Sequence, residues 1–202
     1  MKRITALILA ALLLLSGCSA APELTLSEML GTREEDTYTS PFGFAVDTAQ
    51  LQLLSEEDLA AVNQVEEFTP EALMAKTDAC NAVSVFAAAT GAQDSILLSL
   101  FPAAGLPEDV QTPEDYAAYG LTLICGKLES AGYTDVQAEQ VTVDLDGTER
   151  PAVLCTAQIA EGVPYYLLQI CFREGGWMAA LSLASVESEE ALSQLLTRVT
   201  SN

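Results

Sequence analysis

Histidine is absent from all 202 residues, which removes the Ser-His-Asp triad, the Cys-His pair and every His-ligated zinc or haem site. Basic residues are nearly as scarce. Eight Lys and Arg stand against 29 Asp and Glu, giving a formal charge of −21 at pH 7. Beyond Lys2 and Arg3 they occur singly, as Arg33, Lys76, Lys127, Arg150, Arg173 and Arg198. No basic patch exists to neutralise phosphates, so nucleic acid is excluded as a partner. No serine lies in an S-x-x-K or G-x-S-x-G pattern, and no C-x-x-C spacing marks a redox or metal site. With one Trp, 6 Tyr and 6 Phe, there is little surface on which sugars could stack. A Ser-Lys dyad without that signature or a carboxylate pair is the hydrolytic device left, and 29 acids make every carboxylate pair unspecific.

Half of the chain is apolar and 18% is charged, a balance that suits a packed globule despite the net charge. The clearest message is at the N-terminus. Lys2 and Arg3 precede the apolar run Thr5 to Leu15, and the tetrad Leu15-Ser16-Gly17-Cys18 follows. The run is too short for a spanning helix of about 20 residues, and its charge, length and small-residue end describe a secretory signal. The tetrad resembles the lipobox of bacterial lipoprotein precursors. That resemblance implies cleavage before Cys18, diacylation of its thiol, and a membrane partner engaged through lipid on the extracytoplasmic face. Loss of residues 1–17 removes Lys2 and Arg3 and no acid, so the formal charge passes from −21 to −23. Such a surface repels anionic headgroups, leaving the lipid as the source of membrane attachment.

Residues 19–41 mix Pro, Gly, Ser, Thr and acids with few large apolar side chains. The expected division is a signal at 1–17, the lipidated cysteine and a tether at 18–41, and a single domain at 42–202. As a flexible coil the tether would span roughly 25 to 30 Å; a short helical turn at Leu24, Leu26, Met29 and Leu30 would reduce that reach. Four further cysteines remain, Cys80, Cys125, Cys155 and Cys171. In an exported protein they allow two disulfides in any of three connectivities, and each also sits in apolar company suited to a buried free thiol.

The domain opens with Pro41-Phe42-Gly43-Phe44-Ala45-Val46, read as a first strand. Ser55-Glu56-Glu57-Asp58 starts a helix to about Asn63, and Thr69-Pro70-Glu71 starts a second, with the acids in capping roles. Residues 82–102 read as a hairpin turning at Gly91 to Asp94, although their alanines also permit a helix from Glu71 to Thr90. Thr112-Pro113-Glu114-Asp115 begins a long helix with Ala117, Leu121, Ile124, Cys125, Leu128 and Ala131 on one face, ended by Gly132. Four strands then follow, Val136 to Leu145, Arg150 to Ala160, Pro164 to Arg173 and Trp177 to Val186. Their Gly-bearing connections make an antiparallel meander. Ser188-Glu189-Glu190 caps a last helix to about Thr200.

Asp144-Leu145-Asp146-Gly147-Thr148-Glu149 is similar to the start of a calcium loop, but lacks the Gly and Glu that an EF-hand needs and reads as a hairpin turn. No metal or cofactor is expected. Tyr165 to Phe172 is apolar on both faces, which requires cover on both sides or a surface that binds something. Tyr165 and Tyr166 point to opposite faces of that strand, and with Trp177 they are the candidate binding surface.

Taken in order, PFGFAV, the helix PEDYAAYGLTLICGKLESAGYTDV and the closing YYLLQICFREGGWMAALSLASVESEEALSQLL resemble the PsbP/DcrB-like fold of small bacterial lipoproteins. The resemblance implies an α+β fold, an antiparallel meander flanked by helices, and a binding or accessory role at the cell envelope with a protein or small ligand as partner. The expected function is therefore non-enzymatic; a carboxylate-dependent envelope hydrolase is the alternative. A two-lobed solute receptor is disfavoured by the single domain.

Overall fold

The computed structural model describes residues 25–77, 82–90, 93–159 and 162–202, so Cys18 and Cys80 lie outside it. The fold is α+β, built on antiparallel sheets flanked by helices, as the sequence predicts. The larger sheet contains β4 (Gln52–Leu53), β5 (Val83–Thr90), β6 (Asp94–Pro102), β7 (Thr134–Leu145), β8 (Thr148–Ile159), β9 (Val163–Glu174) and β10 (Trp177–Ser185). Its strand order is β4-β5-β6-β10-β9-β8-β7. The predicted meander is therefore four strands of a seven-stranded sheet, continued by β6 along the free side of β10. A smaller sheet, ordered β1-β2-β3-β11, is made of β1 (Thr32–Glu34), β2 (Thr37–Ser40), β3 (Phe44–Asp47) and β11 (Val199–Ser201).

Five helices complete the described chain: α1 (Leu26–Met29), α2 (Glu56–Asn63), α3 (Pro70–Thr77), α4 (Pro113–Ser130) and α5 (Glu189–Leu196). The capping chemistry is as expected. Ser55 Oγ accepts from the Asp58 N–H at 3.1 Å, Thr112 Oγ1 from the Asp115 N–H at 3.1 Å, and Ser188 Oγ from the Ala191 N–H at 3.1 Å. Each satisfies a first-turn donor that the helix cannot.

Alternation along the strands divides the larger sheet into two faces. Leu168, Ile170 and Phe172 of β9, Leu181 and Leu183 of β10, and Ile96, Leu98 and Leu100 of β6 point to one side. There they pack against Phe44, Val46 and Val199 of the smaller sheet and Leu192 and Leu195 of α5. Phe44 and Phe172 meet with ring centroids 4.6 Å apart. Each such large side chain, fully buried, contributes roughly 1.5 to 3 kcal/mol of hydrophobic stabilisation. On the other face α4 lies across β7, β8 and β9, where Ala117, Val153 and Cys171 form a second small core. Gly120 faces Val153 there, with room for a Cβ at an ordinary contact distance of 3.8 Å from Val153 Cγ2. Beyond β4 the β5 edge is closed by a side chain: the Asn63 amide donates to the Ser84 carbonyl and accepts from the Ser84 N–H, both at 2.8 Å. That replaces a missing strand at an edge otherwise open to pairing.

Two expectations are corrected, and one open alternative is decided. The tether does not extend to residue 41, because the chain is folded from Thr25, with Leu26, Met29 and Tyr38 buried in the main core. The segment is three elements of three or four residues each, too short for a periodic pattern, so its apolar residues look sparse until the core collects them. The last helix stops at Leu196, and Val199–Ser201 pair with β3 instead. Arg198 fixes that exit by donating to the Ala49 carbonyl at 2.9 Å and pairing with Asp47 at 3.6 Å. Finally, the helical alternative for 71–90 fails: α3 ends at Thr77, and Val83–Thr90 form β5. Strand pairing on both edges of β5 outweighs the alanines' helix propensity.

Candidate functional site

The structure separates the three aromatic side chains that the sequence groups together. Trp177 is 6% exposed and belongs to the main core, in line with Ala179, Leu181 and Leu183. It is not a ligand platform; its place at the first position of β10 turns it inward with the apolar row it begins. Tyr166 is half-buried against the same core. Tyr165 is on the opposite face, edge-on to Tyr133 with ring centroids 5.1 Å apart. Burial above all, with Tyr133 and Cys155 nearby, pushes its hydroxyl up to about 12. Trp177 pairs with Glu174 and Tyr166 with Ser185, which sets them at opposite ends of β9, roughly 26 Å apart at about 3.3 Å per residue. These residues share no surface.

The thiols are likewise structural. Cys125, Cys155 and Cys171 are free, so no disulfide joins any two of them. Cys155 and Cys171 are buried, and burial pushes their thiols up to about 11 and about 12, far from the reactive thiolate. Sulfur in apolar packing is favourable without oxidation.

The carboxyls held below their usual range are Glu28, Asp58 and Asp115, each through hydrogen bonds with the residue that caps its own helix. Asp144 accepts from the Gly147 N–H at 2.5 Å, and Asp146 accepts from the Ser201 N–H at 3.0 Å. Asp146 and Gly147 both have positive φ, 51° and 85°, the conformation of a two-residue hairpin turn. Asp144 and Asp146 of the calcium-like stretch are thus committed to the β7–β8 connection and the C-terminal strand.

Two clefts hold groups that the fold leaves available. One, of about 550 Å³, lies where α5 meets the ends of β3, β5 and β6, lined by Asp47, Thr90, Asp94, Gln194 and Arg198. Thr90 donates to Asp94 Oδ2 at 3.0 Å, while the buried Oδ1 receives no donor. Arg198 is already engaged there with Asp47 and Ala49.

The other cleft, of about 330 Å³, lies between the β1–β2 hairpin and α2. Its walls are Leu30, Tyr38, Leu53, Leu59, Phe68 and Phe86. Tyr38 stacks on Phe86 with ring centroids 4.2 Å apart and donates its hydroxyl to the Leu30 carbonyl at 3.0 Å. Arg33 stands directly across the hairpin from Tyr38, hence on the same face. Arg33 and Glu56 both border this cleft and are paired neither with each other nor with another described residue. Sequence reasoning missed it because its parts lie in the stretch read as a tether, in residues 53–68 and on β5, segments that meet only after folding. The one available signal was Tyr38, alternating with exposed threonines in Thr37-Tyr38-Thr39.

No protein-family model matches the chain, and no curated protein does. Among solved structures it is similar to cyanobacterial PsbP (CyanoP) from Synechocystis sp. PCC 6803, at 11% identity and a TM-score of 0.46, over 85% of this chain and 96% of that one. It is also similar to PA94, a Pseudomonas aeruginosa protein of unknown function, at 15% identity and a TM-score of 0.34, over 57% of this chain and 78% of that one.

Proposed function

We propose that this chain is a binding or accessory lipoprotein, non-enzymatic, held by a diacylated Cys18 on the extracytoplasmic face of the cell membrane. The observation that carries the binding role is the cleft between the β1–β2 hairpin and α2, where aromatic and leucine walls meet two unpaired side chains of opposite charge. A concave, largely apolar site with a few placed polar groups is what a small-ligand site requires. The address rests on the lipobox. With folding from Thr25, only residues 19–24 separate Cys18 from the domain, a reach of at most about 25 Å. The domain then sits close to the bilayer rather than well clear of it.

Metabolic labelling with a fatty-acid probe tests the address: wild type takes up label and Cys18→Ala does not. Undiminished label on the mutant refutes the anchor. For the binding role, an Arg33→Trp variant puts an indole on the hairpin face that carries Tyr38, against the cleft, and should abolish any ligand-induced rise in Tm seen for the wild-type chain. A rise that survives in Arg33→Trp places binding elsewhere.

A further inference from the structure

We infer that the hairpin–α2 cleft recognises the zwitterion of a free apolar α-amino acid, with Arg33 taking the carboxylate, Glu56 the ammonium and the apolar walls the side chain. The inference rests on the binding role proposed above and names the ligand class. Charge complementarity argues for it. The other described arginines each have a partner: Arg198 the Asp47 carboxylate, Arg150 the face of the Phe172 ring, and Arg173 the Gln111 and Gly175 carbonyls. Arg33 instead faces the cleft from the Tyr38 side of the hairpin without a partner. Glu56 is at the start of α2, outside the capping box that Ser55 and Asp58 complete between themselves. Neither charge enters an ion pair or a side-chain hydrogen bond with another described residue. A ligand with a single charge would satisfy one and leave the other facing it, whereas an amino-acid zwitterion meets both.

The walls decide what lies between the charges. Leu59, Phe68, Tyr38 and Phe86 present hydrocarbon and ring faces. Their polar atoms are already used, since the Tyr38 hydroxyl is bound to Leu30. A polar side chain entering here would lose its water without a replacement hydrogen bond. A cleft of about 330 Å³ holds one leucine- or phenylalanine-sized molecule and is at the small end of ligand sites. The guanidinium's planar fork matches a carboxylate in a way that lysine does not.

The test uses the full chain in a non-ionic maltoside detergent and titration calorimetry with four probes: L-phenylalanine, its C-terminal amide, its N-acetyl derivative and N-acetyl-phenylalaninamide. The free amino acid is expected to bind about tenfold more tightly than either singly blocked form, a difference of about 1.4 kcal/mol. Arg33→Gln should remove the preference over the amide and leave the preference over the N-acetyl form; Glu56→Gln should do the converse. Both positions are exposed, so the variants keep the wild-type Tm. If all four probes bind equally, the charges do not read the ligand and the inference is overturned, while the cleft remains a binding site. Binding of none of them overturns the inference and withdraws the cleft's support for the binding role. A preference for the free amino acid that both variants retain places recognition on other residues and equally overturns it.

Discussion

Tyr38 lies on Phe86 with ring planes 19° from parallel and centroids 4.2 Å apart, and through this contact the N-terminal hairpin is seated on the larger sheet. The seating depends on a glycine. A Cβ on Gly31 would meet the Tyr38 hydroxyl and the Thr39 carbonyl, both at 2.6 Å, and Gly31 has a φ of +72°.

Gly31→Ala therefore combines a left-handed backbone with a collision against the main chain and the Tyr38 ring. We expect a loss of about 2 kcal/mol or more, measured by urea unfolding with both variants at one pH. A change of under about 0.5 kcal/mol, as at an ordinary surface position, would show that the hairpin shifts freely and that Tyr38 does not hold it.

Removal of the N-terminal segment separates a tether from a folded element. A chain starting at Thr25 keeps Leu26, Met29 and Tyr38 in the core, whereas one starting at Phe42 loses all three. At roughly 1.5 to 3 kcal/mol for each buried side chain, the shorter chain loses on the order of 5 kcal/mol, comparable with total stability of about 5 to 15 kcal/mol. The Thr25 chain should melt cooperatively, and the Phe42 chain should melt far lower or not fold. Equal midpoints would restore the tether reading.

Acid should weaken the start of α4 in a definite direction. The Asp115 carboxylate accepts from the Thr112 N–H at 2.9 Å and the Gln111 N–H at 3.1 Å. Hydrogen bonding with the Thr112 side chain first, then these backbone donors, holds its carboxyl below the ordinary value. Because the folded state binds this proton less readily than the unfolded one, the stabilisation is fully present above the unfolded carboxyl's range. It is lost as pH falls through the lower folded value. Asp115→Asn should thus be less stable than wild type at pH 7, with the difference shrinking towards pH 2. A constant difference across that range, followed by unfolding titrations at each pH, would assign the effect to shape rather than charge.

Much of the architecture was legible because it is local. Ser55, Thr112 and Ser188 announce helices through side-chain bonds to residues three positions away. The turn at Asp146-Gly147 needs only the positive φ that those two residues tolerate. The alternation from Val143 to Leu183 fixes which side of each strand enters the core, and with it the meander.

The sequence by itself also determined the exclusions. A chain without histidine cannot perform His-based catalysis, whatever its fold. Tertiary structure alone decided the rest, because it depends on partners distant in the chain. Trp177 is a core residue only because the smaller sheet and the helices cover that face. Val199 leaves the helical stripe for a strand because β3, more than 150 residues earlier, offers an edge. Residues 25–41 are folded because Phe86 and Leu73 supply the apolar contacts that three short elements cannot supply for one another. The cleft itself is a juxtaposition of Arg33 with Glu56 and Tyr38 with Phe86, and no local pattern encodes a distance between segments that meet only after folding.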